Sequence, residues 1–162
     1  MERKICCFTG HRALPADQVE NIYELFPGIL EKLYSQGVRE FRAGGALGFD
    51  TLAALFVLSF KENHPDVRLS LMLPCRDQDR AWDAKDREVY NFILKSADSV
   101  MYTSDVYTKN CMFQRNRSLV NGSDICVCFV ARSTGGSAYT YDYALSKGLE
   151  IINLYDIINK RN

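Results

Sequence analysis

Ala43-Gly44-Gly45-Ala46-Leu47-Gly48-Phe49-Asp50 is the stretch that decides the fold, because it joins a predicted strand to a predicted helix through a glycine-rich turn. Glycines let a backbone approach a ligand, and the N–H groups of the first helical turn then point at it, which is a layout that binds anions. A carboxylate such as Asp50 suits a helix N-terminus but repels a phosphate placed there. We therefore interpret Asp50 as an acceptor for a ribose hydroxyl or an amine. The stretch predicts a small-molecule site, with a nucleotide as the favoured ligand.

The composition is that of an ordinary globular protein. The 162 residues are 47% apolar and 25% charged, and this length predicts one domain, residues 1–162, with a real core. Lys plus Arg and Asp plus Glu number 20 each, so the net charge is zero. Because nucleic-acid binders are usually basic, a nucleic-acid partner is disfavoured, although a local basic patch stays open.

The six cysteines show no C-x-x-C spacing, and the only histidines are His11 and His64. We therefore predict buried reduced thiols, no metal site and no resident cofactor. The N-terminal residues lack a long apolar run, and no stretch has the length to span a bilayer. A cytoplasmic protein without a membrane partner is the expectation.

Apolar runs and helical patterns alternate along the whole chain. Strands are predicted over residues 5–8, 40–43, 67–73, 99–102, 125–130 and 151–155. Helical spacing covers residues 19–33, where Pro27-Gly28 predicts a kink or two abutting helices. Further helices are predicted over residues 51 to about 63, in a segment with Trp82 on its apolar stripe, over residues 111–121, and in a last segment that ends at Lys147. This alternation predicts an α/β fold: a doubly wound, Rossmann-like domain with a mainly parallel sheet, helices on both faces, and the apolar run 125–130 at its centre.

In such a sheet every strand-to-helix turn lies at the carboxyl edge, where ligands bind. Five of the ten glycines fall in those predicted turns, and Gly48 lies just inside the helix that follows one of them. Each diglycine alone could be a tight turn and nothing more. Their convergence on one edge is the strongest indication of a ligand site. The five are Gly10, Gly44, Gly45, Gly135 and Gly136.

Three basic side chains accompany these turns. His11 either caps the turn after the first strand or acts as a general acid or base, and Arg12 is either a phosphate clamp or a solvated charge. Arg115 and Asn116 share the core-facing stripe of the fourth predicted helix. A buried arginine needs a carboxylate or a ligand phosphate, so Arg115 is expected to contact a ligand or to pair with an acid such as Asp124 or Asp98.

Two further positions leave alternatives open. Trp82 lies near the turn that contains Pro74 and Gln78, and core packing is favoured over base stacking for its indole. The Thr140 hydroxyl either donates to a phosphate or bonds back to the helix backbone.

Four motifs in order, Thr9-Gly10-His11-Arg12, residues 44–50, Arg115-Asn116-Arg117 and residues 135–140, resemble the YpsA-like (DUF1273) family of the SLOG superfamily. The resemblance spans nearly the whole chain, from Ile5 to about Tyr155. It implies a Rossmann-like fold and a role in binding nucleotides or nucleotide-derived ligands. The pocket residues that this resemblance implies are Gly44, Gly45, Asp50, Arg115, Asn116, Gly135, Gly136 and Thr140.

The same superfamily contains LOG-type phosphoribohydrolases, whose motif P-G-G-x-G-T-x-x-E is partly echoed here. Thr134 replaces the proline, Ala138 and Tyr139 stand at the Gly-Thr positions, and Asp142 stands at the glutamate position. An aspartate is one methylene shorter, so its carboxylate has less reach toward a ribose. The superfamily also contains the DprA single-strand DNA-binding proteins, but this chain has no basic surplus.

Three functions follow as hypotheses: a nucleotide-binding or sensing domain, a base-releasing hydrolase, and an interaction module that has lost its ligand. Asp50, Arg115 and Asp142 are the catalytic candidates if a reaction occurs. An apolar outer helix predicts a homodimer. The predicted ligand-binding residues are Thr9, Gly10, His11, Arg12, Gly44, Gly45, Ala46, Gly48, Asp50, Pro74, Gln78, Arg115, Asn116, Gly135, Gly136, Ser137 and Thr140.

Overall fold

The computed structural model describes residues 3–131 and 135–160. Its six strands are β1 Lys4–Gly10, β2 Val38–Ala43, β3 Arg68–Leu73, β4 Ser99–Tyr102, β5 Ile125–Phe129 and β6 Glu150–Asn153. Its helices are α1 Ala16–Ser35, α2 Phe49–Lys61, α3 Ala84–Ser96, α4 Cys111–Val120, α5 Gly136–Ser146 and α6 Leu154–Asn159. The alternation predicted from the sequence is therefore confirmed.

All five strand pairings are parallel, and the strand order is β4-β3-β2-β1-β5-β6. The chain winds outward from β1 to β4, then crosses back to place β5 on the other side of β1. The order therefore reverses between β1 and β5, which is where open α/β sheets leave a crevice at their carboxyl edge. The doubly wound α/β fold is confirmed.

Successive side chains of β1 point to opposite faces, because a strand has a period of two. Cys6 and Phe8 enter an apolar layer formed with α1, α2, α3 and α6, whereas Cys7 enters a smaller layer formed with α4 and α5. In the larger layer the Phe8 ring lies 5.7 Å from the ring of Phe26 and 5.8 Å from that of Phe41. Helices therefore cover both faces of the sheet.

The structure corrects several predicted bounds. α1 is one helix that runs through Pro27 rather than two abutting helices. Trp82 precedes α3, although its ring still packs 5.1 Å from that of Tyr90. β5 is fully buried but is not central, because β1 and β2 occupy the middle of the sheet. The last strand stops at Asn153, whose side-chain oxygen accepts the Tyr155 N–H and so caps α6.

All six cysteines belong to the described residues and are buried thiols outside any disulfide, as predicted. Cys7 and Cys126 face each other across β1 and β5. Burial raises the pKa of the Cys6 thiol well above its usual value, with Cys7 adding to the effect. These thiols behave as small apolar core residues.

Candidate functional site

A cleft of about 390 Å³ opens at the carboxyl edge, at the point where the strand order reverses. Its walls come from the end of β1, the turn before α2, the buried side of α4 and the start of α5. This volume lies in the range usual for small-molecule sites. The lining residues are Thr9, Gly10, His11, Arg12, Ala13, Ala46, Asp50, Met112, Arg115, Asn116, Gly135, Gly136 and Ser137.

The end of β1 forms the floor of the cleft, and Gly10 is there for a packing reason. A Cβ at Gly10 would lie 2.5 Å from both Cβ and Cγ of Phe49, well inside contact distance. Phe49 is fully buried, and its ring lies 6.5 Å from that of Phe8. Gly10 therefore lets the first residue of α2 sit against β1, which fixes the position of α2 relative to the cleft.

His11 connects the turn after β1 to both sides of the β5–α5 connection. Its Nε2 accepts the Ala131 N–H at 2.8 Å, and its Nδ1 lies 2.9 Å from the Ser137 hydroxyl oxygen. A ring nitrogen that accepts a hydrogen bond carries no proton, so the proton of the neutral imidazole belongs on Nδ1. The imidazole then donates to Ser137 Oγ, so the Ser137 hydroxyl proton is not used in this contact.

At the start of α2, where an anion site was predicted, the first amide of the helix is used in a backbone contact. α2 begins at Phe49, four residues beyond Gly45, and the Phe49 N–H donates to the His11 carbonyl at 3.1 Å. Gly48 has φ +81°, and a Cβ there would lie 2.2 Å from the Arg12 carbonyl oxygen. The loop after β1 therefore covers this helix end. Gly48 makes this close backbone contact and does not line the cleft.

Arg115 is the central charged group of the cleft, although its side chain is only 6% exposed. Its Nη1 donates to the Gly44 carbonyl, and its Nε donates to Asn116 Oδ1 at 2.8 Å. Its Nη2 lies 3.7 Å from Met112 Sδ. Two of its nitrogens thus bond to neutral oxygens, which hold the guanidinium plane in place.

Neither predicted acid pairs with Arg115. Asp124 accepts the Ile5 N–H at 2.9 Å, and Asp98 bonds to Lys61 and to the Leu69 N–H. Within the described part of the chain, no carboxylate oxygen lies within 4.0 Å of the Arg115 guanidinium. The salt-bridge alternative with these two acids was therefore wrong, and a buried cation is left facing a cleft.

Asp50 lies on the other side of Gly44 and is also only 6% exposed. A Cβ at Gly44 would lie 2.8 Å from Arg115 Nη1 and 2.9 Å from Asp50 Oδ2, so only glycine fits between them. The Ala46 N–H donates to Asp50 Oδ2 at 3.4 Å. Burial raises the pKa of the Asp50 carboxyl to about 6, against the opposing effects of Arg115, the Ala46 amide and Arg12.

The N-terminus of α5 faces these two side chains across the cleft. Its N-cap residue is Gly135, which has no side chain to bond the amides of the first turn. Gly135, Gly136 and Ser137 all line the cleft. A Cβ at Gly136 would lie 3.9 Å from Asn116 Nδ2, so the two helices approach closely here. Thr134, the first residue of the predicted turn, lies outside the described residues.

Several predicted site residues contact other parts of the protein instead of lining the cleft. Gly45 packs against Leu73, and a Cβ there would lie 2.4 Å from Leu73 Cδ2. Gln78 Nε2 donates to the Gly45 carbonyl at 3.3 Å and lies 3.2 Å from Tyr90 Oη. The Pro74 carbonyl accepts the Ser104 N–H. These residues therefore contact neighbouring parts of the protein outside the cleft lining.

Two residues predicted on α5 also lie away from the cleft lining. Thr140 is fully buried, and its hydroxyl donates to the Gly136 carbonyl at 2.9 Å, so it bonds back to its own helix. Asp142 is exposed and is absent from the cleft lining. Of the three catalytic candidates, the structure therefore brings Asp50 and Arg115 together and leaves Asp142 outside.

Two lining residues, Ala13 and Met112, were missed as site residues. Met112 precedes Arg115 by three positions, so the helical stripe that predicted Arg115 and Asn116 also carried this signal. Ala13 directly follows the Thr9–Arg12 motif, but an alanine carries no chemical signal of its own.

Other site types have no support within the described residues. No group of three His, Cys, Asp or Glu side chains in the described ranges could hold a metal ion. No helix there combines the length and apolar character needed to cross a membrane.

The parallel sheet, the reversal of strand order and the cleft at that reversal define a Rossmann-like α/β domain with a carboxyl-edge site. The profile of the YpsA family, described as the YspA SLOG family, matches residues 6–158. The chain belongs to this family. A UPF0398 protein from Halalkalibacterium halodurans is 30% identical over 115 residues, which are 69% of this chain and 61% of the relative. The match therefore spans about three fifths of that relative's length.

Two solved structures share the fold. DNA processing protein A (DprA) from Streptococcus pneumoniae aligns with a TM-score of 0.67 at 17% identity, covering 92% of this chain and 49% of that protein. DprA from Helicobacter pylori, described for its single-stranded DNA binding mode, aligns with a TM-score of 0.64 at 16% identity. That alignment covers 98% of this chain and 72% of the H. pylori protein. At these identities the likeness is one of fold.

Proposed function

We propose that this protein binds a nucleotide or a nucleotide-derived small molecule in the carboxyl-edge cleft. The observation that carries the proposal is the buried Arg115 guanidinium, which faces the cleft with no carboxylate within 4.0 Å in the described ranges. Asp50 lies across Gly44 but forms no direct ion pair with Arg115, so an anionic ligand would supply the direct partner that a buried cation needs. A phosphate is the anion that a guanidinium fork and a glycine-capped helix start both favour.

The remaining cleft residues suit the rest of such a ligand. The amides at the start of α5 and the Ser137 hydroxyl would hold the phosphate from the side opposite Arg115. Asp50 would accept hydrogen bonds from a ribose hydroxyl or an amine, because its carboxylate is held beside the same cleft. Arg12 is exposed at the rim and would add positive charge there. This arrangement assigns the phosphate to the start of α5 and to Arg115, whereas the sequence favoured the start of α2.

Isothermal titration of a panel of nucleotides tests this proposal, with Gly136→Asp as the disabling variant. The new carboxylate would stand at the start of α5, where it repels a phosphate. Ala84→Asp is the matched control, since it adds the same charge at the exposed start of α3. We expect at least one nucleotide to bind the wild type and the control, and binding to fall at least tenfold in Gly136→Asp. Absence of binding by every member, or equal binding by Gly136→Asp, would refute the proposal.

A base-releasing hydrolase is the second candidate, because Asp50 and Arg115 lie together in the cleft. A carboxyl whose pKa is about 6 can exchange a proton near neutral pH, as general acid–base catalysis requires. The exposed position of Asp142 counts against its role in such a reaction. Chromatographic detection of free base from nucleoside monophosphates, abolished by Asp50→Asn, would support hydrolysis. Product that persists in Asp50→Asn would eliminate Asp50 as the acid or base.

The expected partners remain proposals as well. Tyr23 and Leu55, on α1 and α2, are 53% and 37% exposed and border an apolar groove, which favours a homodimer through this face. Size-exclusion chromatography with light scattering would measure the mass of the protein in solution. A monomeric mass at high protein concentration would exclude the homodimer. A nucleic acid stays the less favoured partner, since the likeness to DprA is one of fold and the net charge is zero. A cytoplasmic location also remains a prediction.

A further inference from the structure

A second hollow lies beside the cleft, on the outer side of the α4–α5 pair. Its volume is about 370 Å³, and it is lined by Asn110, Phe113, Gln114, Arg117 and Tyr139. Phe113 is 43% exposed, although it is a large apolar side chain. Aromatic rings, an arginine and two side-chain amides therefore surround one surface depression.

The aromatic rings of this hollow are held in fixed orientations. The Phe113 ring packs edge-on against Tyr139, with centroids 4.9 Å apart and an interplanar angle of 76°. Tyr139 also lies parallel to Tyr143 at 6.4 Å, and the Arg117 Nε donates to Tyr139 Oη at 2.7 Å. No carboxylate oxygen of the described residues lies within 4.0 Å of the Arg117 guanidinium. The rings are ordered by their neighbours while part of the Phe113 surface stays open to solvent.

The hollow and the cleft share the same two helices. On α4, Met112 and Asn116 line the cleft, whereas Phe113 and Arg117, each the next residue, line the hollow. Consecutive positions of a helix are about 100° apart around its axis, so the two sites lie on adjoining faces of α4. On α5, the Tyr139 N–H donates to the carbonyl of Gly135, which lines the cleft, so the sites are one helical turn apart there.

We propose that this hollow is the nucleobase subsite of the ligand whose phosphate occupies the cleft; this inference rests on the proposed function. The exposed Phe113 ring offers a face on which a base can stack. Base–aromatic stacking is a common mode of recognition because every base has a π-face. The amides of Asn110 and Gln114 supply both donors and acceptors for the edge of the base. The phosphate would lie at the start of α5, and the sugar would pass over the N-terminal ends of α4 and α5, because the two helices approach too closely at Asn116 and Gly136 for it to pass between them.

Calorimetric titration with the four ribonucleoside monophosphates and with ribose 5-phosphate tests this assignment on the wild type and on Phe113→Leu. The variant keeps an apolar side chain but removes the ring. We expect the dissociation constant of the preferred nucleotide to rise at least about fivefold in Phe113→Leu, consistent with loss of one stacking contact. The constant for ribose 5-phosphate should not change. Phe92→Leu is the matched control, because Phe92 is a 55% exposed phenylalanine on α3.

The outcomes separate this inference from the proposed function. If the nucleotides bind and Phe113→Leu changes nothing, or weakens nucleotide and ribose 5-phosphate equally, the base subsite is wrong while the phosphate site stands. If no ligand binds the wild type, both fail. If only a single-stranded oligothymidylate binds and Phe113→Leu weakens it, the hollow serves nucleic acid and this inference is overturned.

Discussion

The Arg115 guanidinium and the Asp50 carboxylate lie on either side of Gly44, both buried and more than 4.0 Å apart. Opposite charges this close to each other in a buried site would ordinarily form a direct ion pair. Here Arg115 bonds to the Gly44 carbonyl and to Asn116, whereas Asp50 bonds to the Ala46 amide. The cleft therefore presents a cation and a carboxyl side by side, each held by neutral groups, which is suited to a ligand with both a phosphate and hydroxyl donors.

Replacing Arg115 by Lys should weaken binding of the preferred nucleotide about tenfold, equivalent to about 1.4 kcal/mol. A lysine keeps the charge but cannot bond the Gly44 carbonyl, Asn116 and a phosphate through one planar fork. Calorimetric titration of both proteins measures the change. Arg39→Lys serves as control, because Arg39 bonds to Asp66 and Tyr34 on another part of the surface. Unchanged affinity in Arg115→Lys would show that the fork does not hold the ligand.

The change in the free energy of unfolding that Asp50→Asn causes should be more favourable at pH 7.5 than at pH 4. The folded-state pKa of about 6 lies above the usual value of 3.8. The wild type therefore loses stability as the pH rises through this interval, because the buried carboxyl must ionise. The difference between the two pKa values corresponds to roughly 3 kcal/mol of stability that the wild type loses. Asparagine does not ionise, so the variant does not lose this stability. Urea denaturation at several pH values gives the comparison.

Asp66→Asn provides a control of opposite sign for that experiment. Hydrogen bonds from Tyr34 and Arg39 outweigh desolvation and lower the pKa of the Asp66 carboxyl. Its contribution to stability is therefore present at neutral pH and is lost as the pH falls. Asp66→Asn should accordingly lose stability at pH 7.5. A parallel pH dependence in the two variants would contradict the assignment for Asp50.

Gly10→Ala should destabilise the fold by about 1 to 3 kcal/mol, the usual cost of overpacking a core. The added methyl would lie 2.5 Å from the Phe49 side chain, which cannot retreat because it is fully buried. Gly28→Ala is the control: nothing lies within 4 Å of a Cβ there, and the residue is an exposed position inside α1. It should stabilise by up to about 1 kcal/mol through helix propensity. Thermal melts of the two variants that shift in the same direction would argue against this packing role.

Ser137→Ala should weaken nucleotide binding about tenfold to a hundredfold, in line with loss of a hydrogen bond to a charged group. His11 Nδ1 lies 2.9 Å from Ser137 Oγ and, as the donor, leaves the hydroxyl proton for another acceptor. Ser118→Ala is matched to it, since the Ser118 hydroxyl donates to the Gln114 carbonyl of its own helix. Titration of both variants with the preferred nucleotide compares them. Equal affinities for Ser137→Ala and Ser118→Ala would remove Ser137 from the binding site.

The order of the elements and the edge that carries the site could be predicted from local patterns. Short apolar runs alternate with helical stripes, and parallel strands necessarily place all their following turns at one edge. The helical stripe of α4 placed Arg115 and Asn116 together on its buried side, as the structure confirms. The start of α2 was misjudged, because Gly44, Gly45 and Gly48 look alike in a sequence, whereas only Gly48 directly precedes the helix as its N-cap.

The sequence by itself determined the parallel α/β fold, the family, and a set of glycine turns at one edge, because these depend on periodicity and on short motifs. Only the tertiary structure decided how each turn contributes to the cleft. The backbone after β1 contacts the start of α2, whereas the glycine cap of α5 lines the cleft. It also decided that Arg115 has no acid within 4.0 Å among the described residues and that Asp142 faces outward. Such contacts join residues far apart in the chain, so no local pattern encodes them.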